Sequence, residues 1–334
     1  MSLKKNHSRV IFFTFYFLLF NFLASACATK KPTPAPVPAE PAVIAADTVA
    51  PPPPLPAPPP EAERPTATLT PALKGVAYAR PGEALLVALD GPTGQLAAAS
   101  AALGDTVSPI LPGPDGDEWL GIVPIGRDHE PGEMAVRVLF TYQNGSTTGA
   151  ELPLRVPPRE YPAVRLTVAP EMARVPPERE AQVAQDREAF AAVWSAPATE
   201  RLWSGRFIMP AEGRVSATFG ERRVFNGSVK SRHSGIDIAA PMGAPVRAAN
   251  AGRVALVRVA YVEGRTVVID HGGGVFTFYC HLSRARVAVG DVVARGQVIG
   301  NVGMTGRATG PHLHFGARVS GERVDGLALI GLRP

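Results

Sequence analysis

The sequence predicts a mainly β protein, with a small antiparallel sandwich ahead of a second, C-terminal β-rich domain. Three observations carry this. Residues 71–157 and 205–334 of the 334-residue chain are short β-branched and aromatic runs separated by Gly, Pro, Asn and Asp turn signals. The one stretch with helical spacing lies between them, in residues 158–204. Hydrophobic residues make up 46% of the chain, which is ordinary for a globular protein and excludes a multi-span membrane protein.

The elements follow in order. Residues 1–26 have a basic start (Lys4, Lys5, Arg9) and then an apolar run. The run is about fifteen residues, short of the roughly 20 that cross a bilayer, so a signal peptide is expected. Leu23-Ala24-Ser25-Ala26-Cys27 resembles a bacterial lipobox, with Ala24 where Leu is commonest. That makes Cys27 the lipidated first residue of the mature chain. A lipid anchor in the cell envelope follows, at the outer membrane facing the periplasm. Cys280 is the other cysteine, so a lipidated Cys27 leaves no intrachain disulfide.

Residues 27–70 are mostly Pro, Ala, Thr and Val. They cannot form a long helix or bury a core, and are expected to be a disordered, extended tether. At roughly 3.1 Å per residue, about 40 residues reach on the order of 100 Å. In 71–157 the runs ALLVALD, EWLGIVPI, MAVRVLFTYQ and ELPLRV alternate with DGPTG, GPDGDE, EPGE and QNGS. That spacing suggests an immunoglobulin-like sandwich, although the Cys…Trp…Cys pattern is missing. The connector 158–204 holds one helix, with Pro177 near its first turn and Val183, Phe190 and Trp194 on one face.

Residues 205–334 carry 17 Lys/Arg against 8 Asp/Glu, a net of +9 in a chain of +5. Such asymmetry points to an anionic partner. Lipid and wall polymer fit; export removes nucleic acid.

The chemistry concentrates in this last domain. The chain has seven histidines, and two of them, His312 and His314, sit two apart on a strand-like run. Positions i and i+2 of a strand share a face, and a core gains little from paired imidazoles. His233 and Asp237 are four apart, but Gly235, Ile236, Ile238 and Pro241 argue against a helix. On a straight strand they would stand about 13 Å apart, so the chain must bend at Ser234-Gly235 for them to meet. Two imidazoles and a carboxylate form a common zinc set with a fourth position open for water. Spacing does not say whether His312 or His314 is the third ligand. In FTFYCHL, alternation puts Cys280 on the face opposite His281 and therefore away from the site, as a small core residue. No glutamate is expected beside the ligands. His271, in a hairpin turn, is expected to be solvated.

HSGID, YCHL and GPHLHFG, in that order, resemble the signature of the M23 family of zinc metallopeptidases, the lysostaphin-like or LytM-type domain. GRVSATFGERRVFNG before them and VAVGDVVARGQVIGNVGMTG between them fit the same course. The resemblance covers about residues 205–327. It implies a small, groove-bearing antiparallel β domain, with zinc bound by His233, Asp237 and His314. It also implies that His281 and His312 are catalytic without being ligands, and that the substrate is the peptide part of peptidoglycan. An exported lipoprotein of this kind is expected to cut the D-Ala–diaminopimelate cross-link in wall remodelling. The other class the sequence allows is a non-catalytic wall-binding regulator of another hydrolase. The complete five-residue set argues against it. Division or wall-synthesis partners are left open.

Overall fold

The structure is a computed structural model and describes residues 70–71, 77–90, 93–114, 116 and 118–334. The expected signal peptide, Cys27 and residues 28–69 of the tether lie outside the described residues. Among the described residues no helix is long and apolar enough to cross a membrane.

The first lobe is a run of antiparallel hairpins. Its long strands are Ala84–Asp90, Leu96–Leu103, Thr106–Pro112, Trp119–Pro124, Gly132–Tyr142 and Thr147–Val156. In Thr147–Val156, inward Leu152, Leu154 and Val156 alternate with exposed positions, the pattern of a sheet with one dry face. Thr106–Pro112 is shared. Residues 106–110 pair with Leu96–Leu103, and Leu111 and Pro112 pair with Trp119–Pro124. The sheet is thus one continuous eight-strand path, closed at one end by parallel pairing of Ala77–Tyr78 with Thr147–Val156. This path does not establish the immunoglobulin-like arrangement expected from strand spacing.

The C-terminal lobe is built on a second eight-stranded sheet. Its strands include β1 (Arg214–Ala217), β2 (Ile236–Ala239), β3 (Gly252–Ala260), β4 (Gly264–Asp270), β5 (Val275–Leu282) and β6 (His312–Val319). They are ordered β1-β2-β6-β5-β4-β3, with Val292–Val293 at the edge beyond β3. One face packs into the main core through Ile236, Ile238, Val267, Ile269, Tyr279, Leu313 and Phe315, where Leu120 and Ile122 of the first lobe join them. The other face carries Val268, Phe276, Phe278 and Cys280. With both faces covered, every residue of β5 is buried. Its sequence therefore reads as a continuous apolar run.

The connector contributes helix α1 (Glu180–Trp194), entered through a 3₁₀ turn at Pro177–Arg179. Proline suits that place because its missing N–H is not needed there. Phe190, Val193 and Trp194 pack on Phe276 and Phe278. Buried Asp186 fastens the helix by accepting from Arg258 Nε at 2.6 Å and the Tyr261 amide at 2.8 Å. The expected helix is therefore present with its apolar face docked on the sheet. The same face of the sheet, at the end of β2 and β6, carries the histidine cluster.

Candidate metal centre and its groove

Strand register assembles the cluster. Asp237 on β2 pairs directly with His314 on β6, which pairs with Cys280 on β5. Directly paired residues share a face, so Asp237, His314 and Cys280 lie in a row. His233 precedes β2, and the chain bends at Gly235 before the strand begins. A Cβ at Gly235 would collide with the carbonyl of Phe315, so only glycine lets β2 approach β6 this closely. Sequence spacing required such a bend. It brings His233 Nε2 to 3.0 Å from Asp237 Oδ1 and 3.0 Å from His314 Nδ1, with His314 Nδ1 2.9 Å from the same Oδ1.

The tautomers test whether these residues fit a metal. His233 donates its Nδ1–H to the Thr218 carbonyl at 2.8 Å, which leaves Nε2 with a bare lone pair. That lone pair faces a carboxylate oxygen and another ring nitrogen. Three buried acceptors converging on one point repel each other unless a cation or a proton lies between them. Among the described residues His233, Asp237 and His314 are the one such group, with ligand atoms all within 4.8 Å. The donor set fits a zinc-type ion. Burial alone would raise the Asp237 carboxyl, but the His233 and His314 rings against it outweigh burial and hold the group well below the usual carboxylate range. Burial pushes His314 down to about 4.

Asp237 is anchored from behind. Arg223 donates from Nη2 to Asp237 Oδ2 at 2.9 Å and from Nε to Glu221 Oε2 at 3.0 Å. One carboxylate oxygen is thus tied to a guanidinium, and the other is presented to the two imidazoles. Sequence reasoning found neither Arg223 nor Glu221. Their signal, a charged pair on the hairpin before HSGID, means nothing until Arg222–Phe225 folds beside β2.

The two further histidines reach the same cavity by different routes. His312 lies on β6, donates Nδ1–H to the Gly310 carbonyl at 2.8 Å, and presents Nε2 3.8 Å from Asp237 Oδ1. His281 is the penultimate residue of β5 and has a φ of 61°, a left-handed conformation uncommon outside glycine. That twist breaks the strand alternation and turns the ring toward the site. Its Nδ1–H donates to the Thr305 carbonyl at 2.8 Å, and its ring centroid is 4.7 Å from that of His312. Burial, followed by the nearby His314 and His312, pushes His281 down to about 3.

Three expectations need correcting. Cys280 does not face away from the site. It shares the face of Asp237 and His314 and lines the cavity with His281. The error came from extending regular alternation through His281, the residue that breaks it. Cys280 stays inert, because burial pushes its thiol up. His271 is not a solvated turn residue but fully buried. It donates its Nδ1–H to the Ala251 carbonyl and accepts from the Thr277 hydroxyl at Nε2, each at 2.7 Å. Nor is the cavity free of glutamate, since Glu221 and Glu263 both line it.

The cavity has a wall that does not come from the C-terminal lobe. Connector residues Ala163–Leu166 pair in parallel with Arg222–Phe225. Val168 exchanges two 2.9 Å hydrogen bonds with the side chain of Asn226. Val164, Leu166, Val168 and Met172 then line the same cavity as the histidines.

Comparison with known proteins agrees with this geometry. Residues 231–326 match the model of peptidase family M23. The chain carries an M23 peptidase domain at its C-terminus. The M23 domain is 46% identical over 112 residues to the DD-carboxypeptidase/endopeptidase Mpg of Neisseria meningitidis, covering 34% of this chain and 26% of that protein. It is 40% identical over 123 residues to the peptidoglycan DD-endopeptidase ShyA of Vibrio cholerae, covering 36% and 29%. The chain thus spans under a third of the length of these relatives. A crystal structure assigned to peptidase M23 from Pseudomonas aeruginosa superposes with a TM-score of 0.56 at 26% identity, over 75% of this chain and 94% of that one. That likeness extends well beyond the M23 domain.

Proposed function

We propose that the protein is a zinc metalloendopeptidase that hydrolyses peptide cross-links of peptidoglycan, of the D-Ala–diaminopimelate type, during wall remodelling. One observation carries the reading. Three ligand-competent side chains and two non-ligating imidazoles with bare Nε2 atoms open into a single groove. The names of the relatives supply the substrate class. A lipid anchor at Cys27, at the outer membrane facing the periplasm, would put the groove within a tether's reach of the wall.

His233 Nε2, Asp237 Oδ1 and His314 Nδ1 would hold the ion. Bound zinc supplies a Lewis acid that polarises a carbonyl and brings the pKa of water toward neutrality. The remaining work falls to the chain. Arg223 holds Asp237 in its orientation. His281 and His312, each fixed through Nδ1–H, divide two tasks at Nε2. One accepts the proton of the attacking water and returns it to the leaving amine. The other, protonated, donates to the oxygen that gains charge as the carbonyl becomes tetrahedral. The apolar connector wall and the buried floor of the sheet exclude bulk water around them. Because all five residues are present in one cavity, the non-catalytic regulator is set aside.

The test is digestion of purified sacculi by the tether-free soluble protein, followed by mass analysis of muropeptides. Cross-linked dimers should fall and monomers rise, each cut adding one water, and a chelator should stop it. Unchanged dimers with zinc supplied would overturn the reading.

A further inference from the structure

The groove contains arginines, and they are not equivalent. Arg223 is consumed by Asp237 and Glu221, and Arg232 lies 3.5 Å from Asp128. Arg307 lies in the loop leading to β6, and its backbone amide donates to the Val262 carbonyl at 2.9 Å. That bond ties the loop to the turn between β3 and β4. The side chain is half-buried and lines the cavity with His281 and His312. Burial lowers its pKa, with Tyr261 and Glu263 acting in the opposite direction. Yet among the described residues no carboxylate, Glu263 included, comes within ion-pair reach of it. Its Nε is buried without a partner. Its Nη2 donates to the carbonyl of Met172, in the connector wall. A guanidinium has five donors in a planar fork, and this one has a single neutral acceptor. A buried donor left without an acceptor is costly, and an anion in the groove would complete it.

We propose that Arg307 is a specificity-determining residue that reads a free carboxylate of the substrate peptide, with the Met172 carbonyl occupying one donor beside it. The inference rests on the reading of the groove as a peptidoglycan peptide site. Stem peptides containing glutamate and diaminopimelate carry free carboxylates near the cross-link. The planar fork suits bidentate capture of such a group, and the loop places it along the groove from the catalytic histidines.

The experiment compares two purified muropeptide dimers, one with free carboxyl groups and one with them converted to primary amides, against wild type, Arg307→Gln and Arg307→Lys. A charge-assisted hydrogen bond of this kind corresponds to roughly 10- to 100-fold in kcat/KM. Wild type should prefer the free acid by about that factor, mostly through KM, and Arg307→Gln should lose the preference, falling by that factor further on the free acid than on the amidated dimer. Arg307→Lys should restore part of it. Melting temperatures show that the variants fold. If Arg307→Gln falls equally on both dimers, or if wild type does not discriminate, Arg307 is only a cap on the connector and the proposal is overturned. If wild type with zinc cuts neither dimer, the functional reading fails and takes this inference with it.

Discussion

Replacing Arg223 with glutamine should loosen the metal without touching a ligand. Arg223 Nη2 lies 2.9 Å from Asp237 Oδ2, and the two side chains are 20% and 13% exposed. A hydrogen bond between charged groups contributes about 1.5–3 kcal/mol, and each 1.4 kcal/mol is about tenfold in an equilibrium constant. Partial exposure screens the pair, so the lower half of that range applies, about 10- to 30-fold in zinc affinity. That falls within the roughly 10- to 100-fold cost of removing outer partners of metal ligands in general. Freed of the guanidinium, Asp237 loses its fixed orientation, so turnover at saturating zinc should fall as well. Competition with a chromophoric chelator at constant pH measures the affinity directly. Arg223→Lys should be intermediate, since it keeps the charge but not the fork that reaches Glu221. If Arg223→Gln, shown to be folded, binds zinc within twofold of the parent, the orienting role is refuted.

Three further outcomes are expected. His281→Ala and His312→Ala should each lower turnover by about 10²- to 10⁴-fold while keeping one zinc per chain; a variant that loses zinc along with activity would make that histidine a ligand. Trp194→Ala removes contacts with Phe190, Phe276 and Phe278 and the Arg318 cation–π pair, and should cost about 2–3 kcal/mol in urea unfolding; a cost near zero would mean that α1 is not docked. Burial lowers His271 to about 4, against about 6.5 in the unfolded chain. The unfolded chain therefore takes up the proton first. Stability from His271 is complete above about pH 6.5 and is lost as the pH falls toward 4, by about 2 kcal/mol between pH 7 and pH 5. His271→Gln should flatten that interval relative to wild type, and identical pH slopes would contradict the buried neutral ring.

How much was legible in the sequence depended on range. The five histidine and aspartate positions were readable because their motifs are local. HSGID supplies the bend at Gly235, and HLH puts two rings on one face of β6. Residues that act across the fold were silent. Arg223 becomes a partner of Asp237 only when the hairpin ahead of HSGID folds beside β2. Val164, Leu166 and Met172 become a groove wall only when a connector strand pairs with Arg222–Phe225. The misplaced Cys280 had a different cause, a single backbone angle at His281 that no apolar pattern encodes. His271 was misread because Gly272–Gly274 mark a turn without showing that Ala251 and Thr277 close over the ring. The mainly β class was carried by alternation and turn residues. The shared strand Thr106–Pro112, which makes the first lobe one continuous sheet, depends on pairing that spacing does not reveal.

The most direct measurement is metal content joined to cleavage. Protein purified without added metal, and its Asp237→Ala variant, are analysed by plasma mass spectrometry and then assayed on cross-linked muropeptide dimers. The expected result is close to one zinc per chain in the parent and almost none in the variant, with dimer cleavage lost on chelation and restored by stoichiometric zinc. Undiminished cleavage by metal-free protein, or by Asp237→Ala, would contradict it.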